Sequence, residues 1–164
     1  MNLEMIEIIK ANLSIPDHAA DLVRLLNEYA QHPMGGGEAL SQHVQDNLAQ
    51  ELHQRDQTHV ILAKVDGVAA GLLICMEGFS TFACRPLLNI HDIVVSKTYR
   101  GQGLSKKMLA KAEEIAVQLG CCKITLEVLE GNKIAQAAYR SVGFTDYQLD
   151  PEHGRALFWQ KKLA

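Results

Sequence analysis

The stretch from Ile90 to Ser105, Ile-His-Asp-Ile-Val-Val-Ser-Lys-Thr-Tyr-Arg-Gly-Gln-Gly-Leu-Ser, constrains this chain more than any other. Ile93, Val94 and Val95 are all β-branched, which favours extended backbone. Arg100-Gly101-Gln102-Gly103 then forms a turn in which two residues lack a Cβ, so backbone N–H groups can approach a ligand closely. From Leu104 the apolar residues fall at 104, 108, 112, 115, 116 and 119, the period of an amphipathic helix. The stretch therefore predicts a buried strand, a tight turn and a helix. A helix start behind a glycine turn offers unpaired N–H groups and a positive dipole end, which suits phosphate. Lys97, Arg100, Lys106 and Lys107 add cationic side chains around it. The expectation is a phosphate-bearing cofactor whose reactive end lies along the strand.

The rest of the chain supplies a scaffold for that stretch. Residues 5–9 alternate weakly and predict a first strand. Ser14 and Asp17 are candidate caps for a helix with Pro16 in its first turn. Ala19, Leu22, Val23, Leu26 and Tyr29 share one face at helical spacing. His32-Pro33-Met34 and three glycines end that helix, as a connector or as the mobile wall of a substrate pocket. Leu40, Val44, Leu48 and Leu52 mark a second helix, capped near Ser41. Residues 58–65 and 68–76 predict a hairpin around Asp66-Gly67. Residues 77–82 are less regular, and Arg85-Pro86 begins the strand of the opening stretch.

After the long helix, Gly120 is a C-cap and residues 122–128 predict another strand. Asn132 can cap a short helix that carries Tyr139 and stops at Gly143. Residues 144–149 and 156–161 predict two final strands. The order gives antiparallel hairpins followed by a β–α–β crossover. The predicted fold class is mixed α+β: one domain over residues 1–164, with a mostly antiparallel central sheet of about seven strands flanked by about four helices.

Composition narrows the function classes. A formal net charge of −3 argues against a general nucleic-acid binder, which is usually basic. No apolar run reaches the roughly 18 residues of a spanning helix. Met1-Asn2-Leu3-Glu4 lacks the basic and apolar regions of a secretory signal. A cytoplasmic protein is the expectation. Cys75, Cys84, Cys121 and Cys122 form no C-x-x-C pair, and buried free thiols are expected. The histidines show no zinc spacing, so no metal site is expected.

Three glycine-turn chemistries compete. The P-loop pattern of nucleotide triphosphatases needs G-x-x-x-x-G-K-[ST], which Gly101 to Lys107 does not supply. The dinucleotide fingerprint needs a third glycine where Lys106 stands. What remains is R-x-x-G-x-G/A between a strand and a helix. Here the chain resembles the GNAT superfamily of acyl-CoA-dependent N-acyltransferases, with some similarity to its diamine and polyamine branch. The resemblance rests on Arg100-Gly101-Gln102-Gly103-Leu104-Ser105 and on a second motif of Asn132, Ala138-Tyr139 and Gly143-Phe144. Ser105 stands where the family has glycine or alanine, and its hydroxyl can donate to phosphate.

The resemblance implies acetyl-CoA as cosubstrate. It implies cofactor contacts at Ile93, Val94, Val95, Arg100, Gly101, Gln102, Gly103, Leu104, Ser105, Lys106, Asn132 and Ala135. Ile93 to Val95 would pair with the pantetheine arm like an extra strand, and residues 101–106 would hold the pyrophosphate. Tyr139 would be the general acid for the leaving thiolate. An alkylamine with a pKa near ~10.4 must lose a proton before attack. His91, with an ordinary pKa of ~6.5, suits that base role. Asp92, on the opposite face by strand alternation, and Glu127 are alternatives.

The implied reaction is direct acetyl transfer to a primary amine of a small molecule in a ternary complex. Acetylation of a protein or peptide amine and a non-catalytic acyl-CoA-binding module are the alternatives. Glu28, Glu38, Glu77 and Glu127 can line a pocket for a cationic amine or stand as solvated carboxylates. The final strands can pair across a homodimer or stand as edges of a monomer.

Overall fold

The computed structural model describes residues 5–163. They form two compact units, one running through Leu126 and the other beginning at Glu127.

The first unit is a five-stranded sheet in the order β1-β2-β3-β4-β5, with three α-helices. β1 (Ile6–Lys10), β2 (Thr58–Val65), β3 (Val68–Ser80) and β4 (Arg85–Val95) pair antiparallel in sequence order. β5 (Ile124–Leu126) joins β4 in parallel after the crossover helix. Asp66 and Gly67 both take positive φ, 50° and 82°, as the two-residue β2–β3 turn requires. β3 continues past Met76 to Ser80, because β4 begins at Arg85 and offers each of residues 77–80 a ladder partner. The irregularity expected of residues 77–82 is thereby confined to the turn at 81–84.

Side-chain alternation sorts the sheet into two faces. Val60, Leu62, Leu72, Ile74 and Val94 form a core with Leu22 and Leu25 of α1 (Pro16–Ala30) and Leu52 of α2 (Gln42–His53). The other face receives α3 (Leu104–Gln118), whose buried residues are Leu104, Met108, Leu109, Ala112, Ile115 and Ala116. At Gly71 a Cβ would lie 2.9 Å from the Met108 Cε, so glycine lets this helix sit close to β3. The far end of α3 is held by Arg85, whose Nε and Nη2 donate to the Gly120 carbonyl at 3.2 and 2.9 Å. A cation there also complements the helix dipole.

Local capping follows the sequence in part. Ser41 accepts from the Val44 N–H at the start of α2. At α1 neither Ser14 nor Asp17 caps: the N-cap is Ile15, without a side-chain bond, and Ser14 donates to Asn12 instead. The glycine-rich loop after α1 is hydrogen-bonded back to it, with Gly37 and Glu38 N–H groups donating to the Ala30 carbonyl at 2.9 and 3.2 Å. Gly35 is required there, since a Cβ would lie 2.1 Å from the Tyr29 carbonyl oxygen.

The second unit contains α4 (Lys133–Arg140) and a short 3-10 turn (Pro151–His153). The two final strands expected at 144–149 and 156–161 are absent among the described residues, so the sheet has five strands rather than about seven. Alternation alone does not make a strand; its backbone groups need a ladder of partners. The Ala156 N–H reaches the Tyr147 carbonyl at a long 3.4 Å, short of a ladder between the two segments. Leu157, Phe158 and Trp159 are 73%, 78% and 82% exposed in succession, so neither parity of that segment is buried. No helix among the described residues is long and apolar enough to cross a membrane.

The four thiols divide by environment rather than sharing burial. Cys75 is buried, Cys84 is exposed, and Cys121 and Cys122 are intermediate. Burial pushes the Cys75 thiol up to about 12, far from the range in which a thiolate reacts. At pH 8 Ellman's reagent is expected to label Cys84 at once and Cys75 only after denaturation. Rapid labelling of Cys75 in the native protein, read by peptide mass, would show that β3 does not close over it.

Candidate functional site

β4 is paired on its two edges to very different extents. Toward β3 its ladder runs from Arg85 to Val95. Toward β5 it runs only over Leu88, Asn89 and Ile90. Beyond Ile90, no ladder occupies that second edge of β4 among the described residues. Alternate residues of an antiparallel strand direct their N–H and C=O groups to that side. Such groups need partners when partly buried, and Ile93 and Val95 are half-buried. An extended ligand arm can supply them by pairing like a strand.

The point where the edge opens is also where β4 bulges. Cys75 pairs with Ile90 and Ile74 pairs with Asp92, leaving His91 as the extra residue. A bulge of this kind bends the strand and re-aims side chains, and it is frequent beside functional sites. Strict alternation across residues 90–92 therefore fails. Ile90 shares the face of Cys75, whereas Asp92 shares the face of Ile74 and hence of α1. His91 is exposed and Asp92 is half-buried. Burial raises the Asp92 carboxyl above its usual range, and nearby His91 offsets this in part. Tyr29 of α1 is also raised, by burial first and then by the negative charge of Asp92. The Tyr29 hydroxyl donates to the Met34 carbonyl at 3.2 Å, linking this corner to the glycine-rich loop.

Past Val95 the chain turns through a 3-10 segment (Lys97–Tyr99) into the glycine turn. Gly101 and Gly103 have φ of 84° and 75°, a region that costs other residues about 1–2 kcal/mol. Gly103 is the N-cap of α3 and brings no side-chain cap. The first intrahelical bond at this end is Lys107 N–H to the Gly103 carbonyl at 3.2 Å. The N–H groups of the preceding residues of the turn lack helical acceptors, as at any uncapped helix start. Leu104 is buried and anchors the turn, Ser105 is half-buried, and Lys106 and Lys107 are exposed. Arg100 Nε donates to the Val95 carbonyl at 3.2 Å, which folds this cation back over the end of β4. The Gln102 Oε1 is buried with no hydrogen-bond partner. These features fit a polyanionic group attached to an extended arm: donors and cations at the turn, and an open strand edge leading away from it.

In the second unit, Asn132 Oδ1 accepts from the Ala135 N–H at 3.1 Å and caps α4. Tyr139 is buried on that helix and meets Phe144, with ring centroids 5.9 Å apart. The Phe144 N–H donates to the Tyr139 carbonyl at 3.1 Å, which closes the helix end around Gly143.

Two carboxylates considered for an amine pocket are engaged elsewhere. Glu77 Oε1 lies 2.6 Å from Nε2 of buried His59. Glu28 accepts from Ser96 and Lys97. Glu38 and Glu127 are exposed, and β5 ends at Leu126, before Glu127. Sequence reasoning missed Tyr29 beside Asp92 and Glu28 at the turn. Neither pairing leaves a local signal, because the partners lie more than a whole helix and two strands apart along the chain.

The model of the acetyltransferase (GNAT) family matches residues 19–144. The chain belongs to the GNAT family. It is 30% identical over 140 residues to thialysine N-epsilon-acetyltransferase of Mus musculus, covering 77% of this chain and 78% of the mouse protein. The Bos taurus protein of the same name is 38% identical over 68 residues. That match spans 42% of this chain and 39% of the bovine protein, well under half of its length. The fold matches the solved structure of AAC(6')-Iy in complex with the bisubstrate analogue CoA-S-monomethyl-acetylneamine. That match has a TM-score of 0.77 at 19% identity and covers 97% of this chain and 99% of the other.

For this GNAT chain, Asp92 sets a measurable pH dependence. Its folded-state pKa is raised, so the protonated form stabilises the fold, and that contribution is lost as pH rises through the folded value. Asp92→Asn is therefore expected to raise Tm at pH 7–8. The gain should shrink as pH falls through the carboxylate range. Thermal melts from pH 3.5 to 8 check this, and a lower Tm for the variant at neutral pH would contradict the burial of the carboxylate.

Proposed function

We propose that this chain transfers the acetyl group of acetyl-CoA to a primary amine of a small molecule, directly and in a ternary complex. The observation that carries the proposal is the continuity of two features: the open edge of β4 leads straight into the uncapped, glycine-lined start of α3. Coenzyme A has the matching shape, an extended arm ending in a pyrophosphate. In this reading Ile93, Val94 and Val95 pair with the arm through backbone groups. Gly101, Gln102, Gly103, Leu104, Ser105 and Lys106 receive the pyrophosphate, with Arg100 as a cation beside it. Asn132 and Ala135, at the start of α4, are the remaining cofactor contacts in this reading.

The chemistry assigns two proton carriers. The neutral amine attacks the thioester carbonyl carbon, the C–N bond forms and the C–S bond breaks. The amine proton passes to His91, directly or through water, and the departing thiolate takes a proton from the Tyr139 phenol. Asp92 is the second candidate for the base, favoured by its half-burial and raised pKa. A cationic amine would also offset the cost of charging that carboxylate. The similarity to thialysine N-epsilon-acetyltransferase supports a small amine acceptor. A cytoplasmic location suits acetyl-CoA and completes the proposal.

A thiol-release screen with acetyl-CoA tests it, run across polyamines, thialysine and other amino acids, aminoglycosides and peptides. Turnover is expected with small diamines or lysine-like amines. Turnover with peptides alone would move the acceptor class, and acetyl-CoA binding without turnover on any amine would indicate a binding module. With a responsive amine, Tyr139→Phe is expected to lower kcat about 100-fold, with the KM for acetyl-CoA little changed. Unchanged kcat would remove Tyr139 from the acid role.

A further inference from the structure

The turn that leads into α3 is held by a residue far away in sequence. Ser96 directly follows β4, and its N–H donates to the Ala70 carbonyl of β3 at 2.8 Å. Its Oγ lies 2.9 Å from each carboxylate oxygen of Glu28 on α1. The Lys97 N–H donates to Glu28 Oε1 at 3.1 Å, across 69 positions of chain. Ser96 is the N-cap of the 3-10 segment Lys97–Tyr99, yet its own side chain makes no cap. Its hydroxyl is turned to Glu28, and the same carboxylate accepts the N–H of Lys97, the first residue of the segment. The Tyr99 N–H closes the segment onto the Ser96 carbonyl at 2.9 Å.

α1 makes a second connection one helical turn earlier. Arg24 Nη2 donates to the Ala69 carbonyl at 2.7 Å, next to the residue that accepts from Ser96. Arg24 and Glu28 are four apart on one helix and therefore neighbours on its surface. Leu22 and Leu25 are fully buried and seat α1 on the sheet. The helix thus presents one pin to β3 and another to the end of β4, from a rigid base.

A carboxylate at this place is electrostatically unhelpful. The following turn carries the proposed phosphate site, and a negative charge nearby disfavours an anion there. What the carboxylate supplies is acceptor geometry: two oxygens that hold the Ser96 hydroxyl and the Lys97 N–H at once. We propose that Glu28 is a positioning residue for the cofactor loop, acting through Ser96 and Lys97 to fix the direction in which residues 100–106 leave β4. This rests on the reading of those residues as the acetyl-CoA site. Glu28 itself touches no substrate in this role; it sets the backbone that does.

The test separates position from charge and from folding. Binding of acetyl-CoA is measured by calorimetry on the full chain, and steady-state kinetics are measured with a responsive amine. Glu28→Ala is expected to raise Kd and KM for acetyl-CoA about tenfold, with kcat and the amine KM within about threefold. Glu28→Gln keeps an acceptor oxygen without the charge and should recover most of that affinity. Ser96→Ala removes only the hydroxyl and should weaken acetyl-CoA binding about threefold, and it decides the matter if Glu28→Ala does not fold. Unchanged acetyl-CoA affinity in Ser96→Ala and Glu28→Ala overturns the proposal, as does a Gln variant as weak as the Ala variant. A rise in amine KM equal to the rise for acetyl-CoA also overturns it. If the unaltered protein binds no acetyl-CoA, the cofactor reading itself fails; binding that ignores Glu28 and Ser96 defeats only the positioning role.

Discussion

β4 is bound along the whole of one edge and, among the described residues, open beyond Ile90 on the other, and the architecture of the first unit follows from that asymmetry. The ladder to β3 covers the strand from Arg85 to Val95, while the ladder to β5 ends at Ile90. A strand in mid-sheet normally satisfies both sides of its backbone. Here the ends of β4 diverge in environment: its start lies between two partners, and its end leaves donors and acceptors for something else. The core explains why the strand tolerates this. Leu88 and Ile90 are buried on the paired part, and Val94 still packs among Leu22, Leu25, Leu72 and Ile74 on the open part. Side-chain burial holds the strand where backbone pairing on one edge does not.

The helices are arranged around the same strand. α3 is clamped at its C-terminal end by Arg85, at the start of β4, and begins just after β4 ends. Its dipole therefore has its positive end beside the open edge. α1, on the opposite face, contributes Arg24 to the β3 backbone and Glu28 to the turn. The bulge at His91 divides β4 into the two parts. It turns Asp92 toward α1 and Tyr29, and it lies where the β5 ladder stops. A bulge stores no gain of its own; it is kept where the re-aimed groups have a use.

Much of this was legible locally. The β-branched run at Ile93–Val95, the glycines at 101 and 103 and the apolar stripe from Leu104 each report a backbone preference that neighbours along the chain decide. The positive φ of both glycines and the burial of the helix stripe match those signals. The final strands did not form, although residues 144–149 and 156–161 have strand-like composition. Their propensity is real but weak, and β-propensity depends on a partner surface. The thiols divided for a related reason: Cys75 is buried because it faces α3 in mid-sheet, whereas Cys84 lies in a turn. Hydrophobic character alone did not distinguish them.

By itself the sequence determined the order of elements through Leu126, the Asp66-Gly67 hairpin, the glycine turn and the start of α3, because periodicity, caps and positive φ are set by residues within a turn or two of each other. Tertiary structure decided which edge of β4 stays open, that His91 is the extra residue of a bulge, and that Glu28 of α1 holds the Ser96 hydroxyl and the Lys97 N–H at the following turn. Those outcomes depend on register between strands and on side chains nearly seventy positions apart, and no local pattern encodes a register until the partner strand is in place.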